Sequence, residues 1–141
     1  MAKVSVTVIT HNEAANIAAA LESVAWADER IVVDAESTDD TVAIARRYTD
    51  RVSIRTWPGY VDQKNHAASL ASHDWVLSLD ADERVTPALR DRIQAALAAE
   101  PAAAAFRIPR ITWHLGTAEL TSLTGEAGTE ADRDEAAVES P

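Results

Sequence analysis

The sequence predicts an α/β fold, with a mainly parallel sheet covered by helices on both faces. Three observations carry that expectation. Short runs of β-branched and aliphatic residues alternate with stretches of helical periodicity along most of the chain. Each connection between strands is long enough for a helix, which suits right-handed crossovers and brings the strand C-termini to one edge. Three polar clusters, His11-Asn12-Glu13, Asp34 and Asp80-Ala81-Asp82, fall at the ends of such strands, where open α/β sheets bind their ligands.

Taken in order, Val4–Thr10 is rich in valine, isoleucine and threonine and reads as a buried strand. His11-Asn12-Glu13 breaks it. Residues 14–24 form a helix with Ile17, Leu21 and Val24 on one face. Residues 30–34 make a second short strand ending in Asp34, and 36–40 a turn rich in helix-capping residues. A helix is expected over 41–48 and a weaker strand over 52–56. Trp57-Pro58-Gly59 is a loop, followed by a helix over 61–70. Residues 75–79 form a strong strand that runs into Asp80-Ala81-Asp82-Glu83. Thr86-Pro87 is an N-cap with proline at the first helical position, and Leu89, Ile93 and Leu97 mark the apolar stripe behind it. Residues 103–108 suit a fifth strand.

The charge is uneven. Residues 117–141 hold seven acids and one arginine, a net −6, which leaves −4 of the formal −10 for the first 116 residues. That segment has few large apolar groups and reads as an acidic tail with no fixed structure, giving a domain over 1–116 and a tail over 117–141. A mildly acidic body gives no basic face for nucleic acid, and an anionic ligand would need a metal or a local cation. Without cysteine there is no disulfide, thiolate nucleophile or cysteine zinc site. Met1-Ala2-Lys3 leads directly into a strand-like run, so no signal peptide is expected, and no apolar run reaches membrane-spanning length. The expectation is a cytoplasmic protein, with attachment at the inner face of the membrane left open.

Asp80 and Asp82 stand two apart at a strand end, so their side chains leave on one face. Paired carboxylates in a crevice call for a cation, and oxygen ligands suit Mg2+ or Mn2+ bridging to a diphosphate. Alone, Asp-x-Asp is usually a solvated turn; the strand context and the two other clusters make the metal reading the stronger. Asp34 can accept hydrogen bonds from a base or ribose. The competing role, a turn or cap acid, can be filled by Ser37 and Asp39. Asn12 suits capping, Glu13 suits nucleoside contact, and a lone His11 is more often a loop residue than a ligand. Lys64, on the helix before the Asp-x-Asp strand, can offset phosphate charge. Trp57, Tyr60 and Trp75 read as packing residues. No Gly-x-Gly-x-x-Gly loop, Walker loop or nucleophile elbow is present.

In order, Val8-Ile-Thr-His-Asn-Glu13, Ile31-Val-Val-Asp-Ala-Glu-Ser-Thr-Asp-Asp-Thr41, Gln63-Lys-Asn65 and Leu77-Ser-Leu-Asp-Ala-Asp-Glu83 resemble the donor-binding half of family 2 glycosyltransferases. The resemblance covers about residues 3–115. It implies the Rossmann-like GT-A fold and inverting, metal-dependent sugar transfer from a nucleoside-diphosphate sugar, UDP-sugar first, to a glycan or lipid-linked acceptor. It implies Thr10, Asn12, Glu13, Asp34, Lys64 and Asp80 as donor-binding residues, with Asp82 and Asp80 on the metal. Arg107-Ile-Pro-Arg110 and Ile111-Thr-Trp-His-Leu-Gly116 resemble a subset that builds lipopolysaccharide core or related glycans. Two departures stand out. The family's Asp-Asp-Gly-Ser-Thr-Asp reads Asp34-Ala-Glu-Ser-Thr-Asp39, with Glu36 in the glycine position. The matching text also stops near Gly116, so the part supplying the acceptor pocket is expected to be missing. No catalytic base is assigned, since no acid in 84–116 has a suitable motif and Glu100 before Pro101 reads as a helix end. The alternative is a truncated, inactive remnant that binds nucleotide-sugar. A receiver-like domain fits poorly, because the first strand ends in Thr-His-Asn-Glu instead of an acid pair.

Overall fold

Val4–Thr10 folds as a strand, β1, with six of its seven residues buried. The computed structural model describes residues 3–99, 110–114, 117–121 and 138–140. The chain divides into two compact units, Ala2–Asp82 and Glu83–Pro141.

In the first unit β1 is followed by α1 (Ile17–Ser23), β2 (Glu29–Asp34), α2 (Thr41–Ala45), β3 (Val52–Ile54), α3 (Tyr60–Ser69) and β4 (Trp75–Asp80). The four strands run parallel in the order β3-β2-β1-β4. The chain steps outward from β1 to β3, then returns to lay β4 on the other side of β1. In open α/β sheets such a reversal of strand order marks where ligands bind, beyond the strand C-termini. The register decides what lies there: Thr10 pairs with Asp34, and Ile9 pairs with Asp80.

Both sheet faces are buried. Ile31 and Val33 pack with Ala67 of α3, joined by Ile9, Leu70 and Ala71. The alternate residues Val4, Val6, Val8 and Val32 point the other way and are at most 5% exposed. Each such side chain contributes about 1.5–3 kcal/mol of burial, so the β-branched runs seen in the sequence account for the sheet. The direction of α3 is fixed by its C-terminal end. Ser72 donates to Glu29 at the start of β2, and Arg51 donates to the Leu70 carbonyl. The opposite end, Tyr60–Lys64, therefore lies by the strand C-termini.

Some boundaries differ from the sequence expectation. The first helix begins at Ile17, three residues late, because Asn12 takes a left-handed backbone (φ 51°) and the Glu13 carbonyl closes a turn on Asn16 and Ile17. The second helix stops at Ala45, short of Tyr48. Gly59, with φ 113°, supplies the one backbone at the head of α3 that side-chain-bearing residues rarely adopt.

The second unit holds β5 (Arg84–Val85), α4 (Pro87–Ala98), β6 (Arg110–His114), β7 (Thr117–Thr121) and β8 (Val138–Ser140). The expected cap is present: the Thr86 hydroxyl accepts from the Leu89 N–H at 3.1 Å, with Pro87 beginning the helix. The sheet order is β5-β8-β6-β7; β6 pairs antiparallel with β7 and parallel with β8. Strands at 117–121 and 138–140 correct the expectation of a structureless tail over 117–141 at those positions. Composition averaged over the segment hides Thr117, Thr121 and Val138, and the ladder bonds come from neighbouring strands that composition does not see. The expected strand over 103–108 lies outside the described residues.

Candidate functional site at the strand ends

Three loops meet beyond the C-terminal edge of the first sheet. The β1–α1 and β2–α2 loops are buttoned together residue by residue. Ala35 N–H donates to the Thr10 carbonyl at 2.8 Å. His11 Nδ1 lies 2.8 Å from the Ala35 carbonyl, which only accepts, so that nitrogen carries the proton. Asn12 N–H donates to Ser37 Oγ at 2.7 Å, and Asn12 Oδ1 accepts from Thr38 N–H at 2.8 Å. Glu13 N–H donates to Thr41 Oγ1, and Ala14 N–H to Asp39. Asparagine tolerates the left-handed backbone that aims its amide across the gap.

Asp34 sits under this seam with 0% exposure. Its Oδ1 accepts from Thr10 Oγ1 and Ser37 Oγ, both at 2.6 Å, and its Oδ2 accepts from Ser37 N–H at 2.8 Å. Three donors compensate its buried charge. Thr10 and Asp34 thus act together as an internal brace. Glu36 follows with φ 54°, the left-handed conformation expected of the glycine it stands in for, and its carboxylate accepts from Thr56 Oγ1 at 3.2 Å. Asp39 is held below its ordinary value, chiefly by the Thr41 hydroxyl; burial opposes this, and the backbone N–H groups of Thr41, Ala14 and Asp39 add to the lowering.

Across the crevice, Lys64 Nζ lies 3.3 Å from Asp80 Oδ1, with side chains 41% and 35% exposed. Asp82 is exposed two residues on. Glu13 is half-buried, its Oε2 accepting from Asn16 at 3.1 Å. Register and α3 thus bring Thr10, Asn12, Glu13, Asp34, Lys64 and Asp80 to one edge, with Asp82 just beyond. Among the described residues, no three His, Cys, Asp or Glu side chains gather closely enough to hold a metal by themselves.

Two features were not anticipated. Trp57 and Tyr60, expected to be packing residues, are 44% and 70% exposed and stack edge to face with centroids 4.9 Å apart. They stand on the loop and first turn that lead to Lys64. Gln63, one residue before Lys64, is 0% exposed, and neither atom of its carboxamide has a hydrogen-bond partner. A glutamine inside an otherwise polar turn, Asp62-Gln-Lys-Asn65, gave no signal of burial.

The geometry agrees with what the chain is similar to. The profile of Glycosyl transferase family 2 matches residues 5–137. An uncharacterized glycosyltransferase of Rickettsia felis is 53% identical over 95 residues, 67% of this chain and 34% of that one. The lipopolysaccharide core biosynthesis glycosyltransferase LpsC of Rhizobium meliloti is 34% identical over 117 residues, 79% of this chain and 43% of that one. The chain spans about one third of the length of the Rickettsia relatives it matches. Among solved structures, S. aureus TarS 1-349 in complex with UDP-GlcNAc superposes with a TM-score of 0.58 at 26% identity, covering 78% of this chain and 33% of that one. Glucosyl-3-phosphoglycerate synthase from Mycobacterium tuberculosis, in complex with Mg2+ and UDP, gives 0.61 at 23%, covering 82% and 44%, and shares the fold.

Proposed function

Because the chain belongs to glycosyl transferase family 2, we propose that it forms the donor-binding part of an inverting glycosyltransferase that takes a nucleoside-diphosphate sugar, UDP-sugar first. The observation that carries the reading is the register of β1, which pairs Thr10 with Asp34 and Ile9 with Asp80. Residues separated by dozens of positions then form one polar edge at the reversal of strand order. The complex of TarS with UDP-GlcNAc, at 26% identity, supports the choice of nucleotide. The likeness to LpsC supports a glycan or lipid-linked acceptor of the lipopolysaccharide core type. No described helix is long and apolar enough to cross a membrane, which accords with an enzyme acting in water or at a membrane surface.

Asp80 and Asp82 fit a divalent ion in one particular way. Two carboxylates are too few for a metal cage, but Mg2+ and Mn2+ commonly take one or two carboxylates and complete their shell with water and substrate phosphates. Asp82, exposed, is the direct ligand in this reading and Asp80 its neighbour. The ion supplies charge neutralisation for the departing diphosphate. The chain's own groups do the rest. Lys64 brings a positive charge to the phosphates and is kept at the crevice by Asp80. Thr10 and Asp34 brace the two loops that wall the nucleoside side, with Asn12 as the cross-tie and Glu13 facing the ligand. A preformed wall spends little binding energy on ordering loops.

Calorimetry with UDP-sugars, with and without Mn2+, tests this. Binding should require both together, and Asp82→Ala should weaken it by about tenfold or more. An Asp82→Ala protein that binds like the parent removes the metal assignment. Transfer to an acceptor, or hydrolysis of the sugar nucleotide, separates an enzyme from a module that only binds donor.

A further inference from the structure

We propose that Glu36 is a positioning residue: by accepting a hydrogen bond from Thr56 it latches the β2–α2 loop to the segment that leads into α3, and so fixes where Lys64 meets the phosphates of the donor. The inference rests on the donor-site reading above and adds to it a residue that touches no ligand itself.

The starting point is backbone strain. Glu36 stands at φ 54°, in the left-handed region that a glutamate rarely enters. The residues on either side hold it there. Ala35 N–H donates to the Thr10 carbonyl at 2.8 Å, and Ser37 N–H donates to the Asp34 carboxylate at 2.8 Å. Glycine, the residue of the family pattern at this position, takes such a conformation freely. Strain kept at a strand end beside a ligand edge calls for a task.

The register shows the task. Asp34 pairs with Ile54, the last residue of β3, and the Arg55 N–H donates to the Asp34 carbonyl at 2.9 Å. Two residues further along each segment, the Glu36 carboxylate accepts from Thr56 Oγ1 at 3.2 Å. Side chains thus add one more rung where the backbone ladder has ended. Asn12, bonded to Ser37 and Thr38, ties the first strand-end loop to the second. Glu36 ties the second to the third.

From Thr56 a short path leads to Lys64. The Trp57 ring meets the Tyr60 ring edge to face at 4.9 Å, which fastens the loop to the first turn of α3. The Gly59 carbonyl accepts from the Gln63 N–H at 3.0 Å, closing that turn. Lys64 follows, its Nζ 3.3 Å from Asp80 Oδ1. The head of α3 is therefore held from the β2 side by Glu36 and from the β4 side by Asp80. Gln63, between them, adds no polar tie to the sheet, because its buried carboxamide has no partner. An exposed hydrogen bond contributes little to global stability. Its effect is felt in binding, since the attraction of an ammonium for phosphate weakens with every increment of distance.

The test is calorimetry of UDP binding by the full chain in the presence of Mn2+. Glu36→Asn keeps a residue that tolerates the left-handed backbone, but its side chain is too short to reach Thr56. It should melt within about 3 °C of the parent and bind UDP about fivefold more weakly. Charge alone predicts the opposite, because removing a carboxylate near a diphosphate favours the anion. Glu36→Gln keeps the reach and an acceptor oxygen, and should bind within about twofold of the parent. Thr56→Val removes the donor and keeps the shape. It should show the same loss as Glu36→Asn, and the double variant should lose no more than either alone. In a Lys64→Met background, Glu36→Asn should cost nothing further. Parent-like binding by Glu36→Asn overturns the proposal. So does a Glu36→Gln protein as weak as Glu36→Asn, which would mean that the charge itself meets the ligand. A Thr56→Val protein that binds like the parent, or a full further loss in the Lys64→Met background, overturns it as well. If the parent binds no UDP, the donor-site reading fails and this inference falls with it; if the parent binds, only the latch is at stake.

Discussion

The two ends of the first unit's sheet treat their carboxylates differently. At the N-terminal end, Glu29 is satisfied from every side: Ser5 Oγ donates at 2.7 Å, Ser72 N–H at 2.9 Å and Ser72 Oγ at 3.1 Å, and Arg51 forms an ion pair with it. Its side chain is 9% exposed. At the C-terminal end, Asp80 is 35% exposed and pairs with Lys64, and Asp82 is exposed. The same residue class thus serves two purposes. Where donors converge and water is excluded, a carboxylate ties strands together. Where it stays open to solvent at a crevice, it keeps capacity for a ligand. Asp34 lies at the ligand end, and its carboxylate, like that of Glu29, is held by several donors from its own loops.

That contrast can be broken experimentally. The largest effect is expected at Asp34. Asp34→Ala leaves the buried Thr10 hydroxyl and the half-buried Ser37 donors without their acceptor, costing about 3 kcal/mol and lowering the melting temperature by roughly 15 °C. A small change would mean the seam does not depend on it. Glu29→Gln should cost about 2 kcal/mol in urea unfolding. Burial pushes the Glu29 carboxyl upward, but Ser5, Ser72 and Arg51 together outweigh it and hold the group below its ordinary value of 4.5. The unfolded chain then binds more protons as the solution acidifies. The stability Glu29 contributes is present above about pH 4.5 and lost as pH falls through its lower folded value. Glu29→Gln should flatten the acid limb of the stability curve; an unchanged limb would assign that limb to other acids. Asp82→Ala should leave stability within about 0.5 kcal/mol while removing metal-dependent binding, the reverse of Glu29→Gln. The smallest effect is expected at Glu36→Gly, which should stabilise by about 0.5–1 kcal/mol by relieving the left-handed backbone. Destabilisation there would show that the Thr56 contact outweighs the strain.

The sheet was legible because burial on both faces demands continuous β-branched runs, and those are written locally: β1 begins and ends where the sequence says, and the Thr86 cap and Pro87 start are met atom for atom. Helix lengths were less legible. A left-handed Asn12 held by Ser37 and Thr38, far along the chain, delays α1. Trp57 and Tyr60 were misread because aromatic residues usually pack, and exposure depends on what stands opposite. Gln63 was missed because nothing in its neighbours' chemistry distinguishes an inward from an outward glutamine.

The sequence by itself determined the alternation of strands and helices, the parallel sheet and the clustering of acids at strand ends, since these follow from periodicity and the direction of crossovers. Tertiary structure alone decided which acids are braces and which face the crevice. The number of donors reaching a carboxylate, and the water excluded around it, are set by residues brought in from other strands and loops.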